Sequence, residues 1–201
     1  MHKVTQLQTQ VETMLRDGFP ESAKDTRLNL DAVLRGNVSL DETQRWLVAL
    51  SCAYALRSPA LLSAVQSEFE IRAAGAGDAE PATGTPGIAA EALRDDAQAA
   101  ASLMAMNNVL YRFRHLVGKA AYAQKPARLR MNRIAQPATT KAAFELACLA
   151  VSALNGCQVC IESHERTVLQ HGLTEDHVHD AVRIAATLSA AAVAAFSAPA
   201  A

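Results

Sequence analysis

Residues 140–172 read TKAAFELACLAVSALNGCQVCIESHERTVLQHG. Thr139 or Thr140 can cap a helix that runs to Leu154. Asn155-Gly156 then supplies the left-handed stop that ends it. The cysteine segment starts a new helix, which reaches about His171-Gly172. The stretch is therefore a helix hairpin with a pair of thiols at its bend. Cys157 and Cys160 are spaced to close a small disulfide, and His164 follows four residues after the second.

Helical periodicity extends outward from this hairpin over nearly the whole chain. Val4, Leu7, Val11, Met14 and Leu15 fit one face of a first helix, ended by Gly18 and Pro20. Leu28, Leu30, Val33 and Leu34 belong to a second, stopped at Gly36-Asn37. Ser39-Leu40-Asp41-Glu42 reads as a capping box opening a third, and Ser58-Pro59 opens a fourth. The Gly- and Pro-rich stretch Ala73 to Gly87 reads as a loop or hinge between a looser N-terminal half, 1–72, and a half, 88–197, that carries the cysteines. A long helix is expected from about Ala89 to Phe113. Lys125-Pro126 and Pro137 break the chain, and Thr174 caps a last helix to about Phe196. No alternating strand pattern appears, so the chain is expected to be all-α, a single domain over residues 1–201. Ala49-Leu50-Ser51-Cys52-Ala53 echoes Ala150-Val151-Ser152-Ala153-Leu154. The echo leaves open two similar helical halves or coincidence in an Ala-rich chain.

The bulk properties set limits. Half of the 201 residues are hydrophobic and only 4% are aromatic, with Ala dominant. That composition suits closely packed helices and a core that needs no disulfide staples. A net charge of −1 gives no global electrostatic case for nucleic acid or membrane binding. Met1 to Gln6 open no apolar run, so no signal peptide is expected. The most apolar segment, Ile184 to Phe196, is too short to span a bilayer. A cytoplasmic location follows as the default, and there a close cysteine pair points to catalysis or metal binding rather than a staple.

The dithiol alone does not make a peroxidase. A helix start favours thiolate through its free N–H groups and dipole. Lowering a thiol pKa from about 8.5 to about 7 raises the thiolate fraction at neutral pH roughly fifteenfold. Nucleophilicity falls with pKa along a Brønsted slope of about 0.4–0.5, so the net gain is a few-fold. Peroxide cleavage also requires a proton for the departing oxygen, hence an acid/base relay. His164 shares a helix face with Cys157 and Cys160. In a hairpin turning at Asn155-Gly156, position 145 faces roughly position 165, so Glu145 can meet His164 and hold its tautomer. Cys157 lies nearer the turn, where a water would link it to Glu145.

The segment FELACLAVSALNGCQVCIESHE, with MAMNNVLYRFR and RLRMNRIAQP upstream, resembles the AhpD family of alkylhydroperoxidases. The match covers about Ala101 to Phe196 well and the N-terminal half more loosely. The Glu-x11-Cys-x2-Cys-x3-His pattern is far more specific than a lone CxxC. The resemblance implies an all-helical, homotrimer-forming scaffold with no bound cofactor. It implies reduction of organic hydroperoxides by the dithiol, recharging by the dihydrolipoyl group of a partner of the dihydrolipoamide acyltransferase type, and transfer of electrons to the peroxiredoxin AhpC. Carried over, Cys160 is the peroxidatic thiol that forms the sulfenic acid. Cys157 is the resolving thiol and proton donor that closes the Cys157–Cys160 disulfide. Glu145 and His164 form the proton relay. Some members carry a second histidine between the cysteines, where this chain has Val159.

Other readings of the same residues stand beside this one. The pair could relay electrons to the peroxiredoxin with little peroxidase activity of its own. It could be half of a structural zinc site, but four ligands are needed, and Cys52 and Cys148 read as buried small hydrophobes. A decarboxylase-like relative sharing the fold would not require both thiols. His171, His177 and His179 read as solvated turn histidines. The basic run Arg112, Arg114, Lys119, Lys125, Arg128, Arg130 and Arg133 reads as a solvated face or subunit contact, or as a dock for an acidic lipoyl domain. Met104 and Met106 read as core.

Overall fold

The computed structural model describes residues 19–75 and 90–196. Within them lie a 3₁₀ turn, Glu21–Ala23, and the helices α1 (Lys24–Arg35), α2 (Glu42–Leu56), α3 (Pro59–Gly75) and α4 (Ala90–Val117). There follow α5 (Ala120–Ala123), α6 (Asn132–Ala135), α7 (Lys141–Leu154), α8 (Gln158–Gln170) and α9 (Glu175–Phe196). Among the described residues there is no strand, and the all-α expectation holds. The helix expected over Val4 to Leu15, and most of the expected 73–87 loop, lie outside the described residues.

Two helices form the centre. Arg45 to Ala53 of α2 and Ala143 to Ser152 of α7 are buried without interruption. A helix enclosed on all sides must be apolar or small on all sides, and Ala49, Ala53, Ala147 and Ala150 let neighbours approach closely. The helix α2 packs most extensively on α4 and α7, and α9 closes over α1, α2 and α7. The two echoing segments are the cores of these two central helices. Both are mostly buried, and a helix enclosed on all sides takes small apolar residues whatever their origin.

Several boundaries differ from the sequence reading, each for a local reason. The capping box at α2 uses Asp41 and Gln44, which exchange side-chain and backbone hydrogen bonds at 2.8 and 3.1 Å. Ser39 is engaged elsewhere: its N–H and hydroxyl donate to Asp180 of α9 at 2.7 and 2.8 Å. That carboxylate is buried and needs donors. The helix α3 continues through the first residues of the expected loop to Gly75, and α4 runs one turn past Phe113 to Val117. Two single-turn helices, α5 and α6, interrupt the stretch expected to be broken. Thr140, not Thr139, caps α7 by accepting from the Ala143 N–H at 3.2 Å.

Thr139 instead helps hold the start of α7 against α4. Asp96 of α4 is fully buried. It accepts from Arg133 Nε at 2.7 Å, from the Ala138 and Thr139 N–H groups at 3.1 and 2.7 Å, and from the Thr139 hydroxyl at 2.7 Å. A buried carboxylate with that many donors is a fixed anchor, and breaking such a set costs about 3–5 kcal/mol. Arg133 thereby leaves the solvated basic run.

The last helix is longer than the apolar segment seen in the sequence. Glu175–Ala195 is long and apolar enough, by length and composition, to cross a membrane. Its apolar face is already occupied: Ala181, Ile184, Ala185, Leu188 and Ala191 join the core. The opposite situation holds around the end of α4. Val109, Phe113, Leu116, Val117, Tyr122 and Leu129 are exposed, with the Phe113 and Tyr122 rings in edge contact at 5.3 Å. This arm carries Lys119, Lys125, Arg128 and Arg130 on exposed positions.

Candidate active site

The bend between α7 and α8 is set by backbone chemistry. Gly156 has φ +62°, the left-handed region that favours glycine. Its N–H donates to Ala153 O, and the N–H of Cys157 donates to Ser152 O, both at 3.1 Å. Cys157 is then the N-cap of α8, and its carbonyl accepts from Cys160 and Ile161 at 3.0 and 2.9 Å. The two cysteines are joined as a disulfide with their Cα atoms 5.3 Å apart. Cys157 is fully buried, whereas Cys160 is 6% exposed, so the second sulfur is the one nearer solvent.

Glu145 and His164 meet across the hairpin as the register required. Oε2 of Glu145 lies 2.5 Å from Nδ1 of His164. This carboxylate is 4% exposed. Burial acts to raise its pKa, but hydrogen bonds from His164 and Lys141, with their charges, more than offset that and hold it below the ordinary carboxylate range. Lys141, at the first position of α7, places Nζ 2.6 Å from Oε1 of Glu145 and 2.6 Å from Ile134 O. The other ring nitrogen of His164, Nε2, lies 3.2 Å from the sulfur of fully buried Met104.

A second polar chain braces the bend. Asn108 of α4 donates to Ser152 Oγ at 3.0 Å and accepts from Asn155 Nδ2 at 2.8 Å. Arg112 Nη1 donates to the carbonyl of Asn155. The upstream segment MAMNNVLYRFR thus has a physical role: Met104 touches the imidazole, and Asn108 and Arg112 clamp the bend. Met104 is core, as read, but also lines the site. Lys141, Asn108 and Arg112 were not singled out for the site from the sequence. Only the familial segment could have flagged the last two, since contacts between residues more than forty positions apart leave no local spacing.

The remaining candidates lie elsewhere. Burial pushes the Cys52 and Cys148 thiols up, which makes them poor nucleophiles. His171 and His177 bond locally to Thr167 O and Thr174 Oγ1, both at 2.8 Å. Among the described residues, no three His, Cys, Asp or Glu side chains gather to hold a metal ion.

Fold and site together define a class: an all-helical protein with a CxxC disulfide at a helix start and a Glu–His pair beside it. The carboxymuconolactone decarboxylase family model matches residues 120–201. An alkyl hydroperoxide reductase AhpD of Anaeromyxobacter sp. (strain Fw109-5) is 53% identical over 180 residues, covering 90% of this chain and 88% of that protein. The AhpD of Maricaulis maris (strain MCS10) is 45% identical over 178 residues, covering 89% and 93%. The chain belongs to the AhpD family of alkyl hydroperoxide reductases.

Proposed function

We propose that this chain is a cytoplasmic antioxidant thiol peroxidase. It reduces organic hydroperoxides to alcohols through a Cys157–Cys160 dithiol/disulfide cycle, is recharged by a dihydrolipoyl protein, and can reduce the peroxiredoxin AhpC. The observation that carries this reading is the hydrogen-bonded Glu145–His164 pair, one turn along α8 from the disulfide. A structural disulfide has no use for a buried acid/base pair beside it.

The proposed cycle runs in three steps, and the greater exposure of Cys160 supports its place as the attacking sulfur. The thiolate of Cys160, the more accessible sulfur, attacks the terminal peroxide oxygen. An S–O bond forms, the O–O bond breaks, the sulfur becomes a sulfenic acid, and the alkoxide takes a proton through His164. Cys157 attacks the sulfenic sulfur, forming the disulfide and releasing water. A dihydrolipoyl dithiol returns two electrons and two protons and leaves as the cyclic disulfide.

Thiol titration tests the cycle directly. One equivalent of cumene hydroperoxide removes two thiols per reduced chain, mapped to Cys157 and Cys160. A dihydrolipoyl domain restores both. Loss of no thiol, with electrons passing only to added AhpC, would leave a relay adaptor instead. The exposed apolar arm from Val109 to Leu129 supports assembly through this surface, which we assign to a homotrimer. Light scattering is expected to give three times the single-chain mass, and a monomer at micromolar concentration would refute it.

A further inference from the structure

Resting on the peroxidase reading, we propose that Lys141 is a positioning residue of the relay. Its ammonium keeps Glu145 charged and fixes the carboxylate plane toward His164, so that the working proton stays on the imidazole side. The geometry is a two-point hold: Lys141 Nζ takes Oε1 at 2.6 Å while His164 Nδ1 takes Oε2 at 2.5 Å. With one oxygen committed to each partner, the carboxylate cannot rotate without breaking a charge-assisted bond.

Helix stability does not explain this lysine. It occupies the first position of α7, where the dipole disfavours a cation. It also precedes its glutamate by four residues, the less favourable order for such a pair. A tie from Nζ to Ile134 O could serve only to hold the connecting segment, and the test must separate that role from the electrostatic one.

The charged surroundings of Glu145 are few. Among the described residues, Lys141 and the buried thiol of Cys148 lie on its own helix and His164 on α8, while Asp96 of α4 is engaged by Arg133 and Thr139. Met104 contributes no charge. Without Lys141, burial favours a neutral carboxyl and only His164 opposes it. The proton that should reach the alkoxide would then be held on Glu145.

Lys141→Met and Lys141→Arg, with the wild type, test this through the pH dependence of hydroperoxide turnover and the carboxyl carbon-13 titration of Glu145. In Lys141→Met the acid limb moves up by about one pH unit, a tenfold lower rate on that limb, and the rate recovers as pH rises. In Lys141→Arg the limb stays near its wild-type position, because charge is kept although the geometry is not identical. A uniform loss at every pH, or a lower melting temperature with the limb unmoved, would make Lys141 a loop tie and overturn the proposal. If the wild type itself consumes no peroxide, the peroxidase reading fails separately. The Glu145 titration then still decides: displacement upward in Lys141→Met upholds the hold on the charge, and an unchanged titration removes it.

Discussion

Cys160→Ser is expected to lose hydroperoxide turnover by on the order of 10⁴-fold or more, the scale of removing a nucleophile from a site whose groups act as a unit. Three features direct the effect to this sulfur. It is the more exposed member of the pair, it sits one turn from His164 on the same helix face, and its partner Cys157 is enclosed at the bend. A hydroxyl in its place is a far weaker nucleophile and cannot carry a sulfenic acid. Cys157→Ser has a different signature. It completes one half-reaction, leaves a sulfenic acid on Cys160 for a sulfenic-acid trap, and then stops. Measured initial rates with cumene hydroperoxide and a dihydrolipoyl donor separate the two. Persistent turnover by Cys160→Ser, or a trap label on Cys157, would reverse the assignment.

Glu145→Gln is expected to slow turnover by about 10²–10⁴-fold, the usual contribution of a positioned acid/base. The amide keeps the shape but removes the charge that orients the imidazole. The direction with pH follows from the depressed carboxyl. Its stabilising charge is fully present above the unfolded carboxylate value, about 4.3, and is lost only as pH falls through the lower folded value. Wild-type relay function and the stability from this pair therefore persist through neutral pH and fade in acid, whereas the variant is impaired across the range. Reaction of the reduced variant with a disulfide probe, whose thiolate leaving group needs no proton, should be spared relative to hydroperoxide. Equal loss with both reagents would mean that the substitution damages the thiols rather than proton delivery.

The hairpin was legible because its signals are local. Thr140, Asn155-Gly156 and the i, i+3, i+7 placement of Cys157, Cys160 and His164 act within one or two turns. The Glu145–His164 contact was also readable, since a tight bend fixes which residues of two antiparallel helices are level. What the sequence hid depends on packing between distant helices. Lys141 reads as a solvated lysine until Glu145 is seen buried beside it. Met104 lies sixty positions from His164, and only the parallel course of α4 along α7 brings it there. The cap of α2 was misread because Ser39, a good local candidate, is claimed by Asp180 from the far end of the chain. The extent of α9, by contrast, was legible from the Thr174 cap to about Phe196, because both of its ends are marked locally.

The disulfide spans only the N-cap and first turn of α8, next to a bend clamped by Asn108 and Arg112. Opening and closing it therefore need displace no helix. The sulfur bridge is thereby confined mechanically to a single turn of a hairpin that α4 braces from outside.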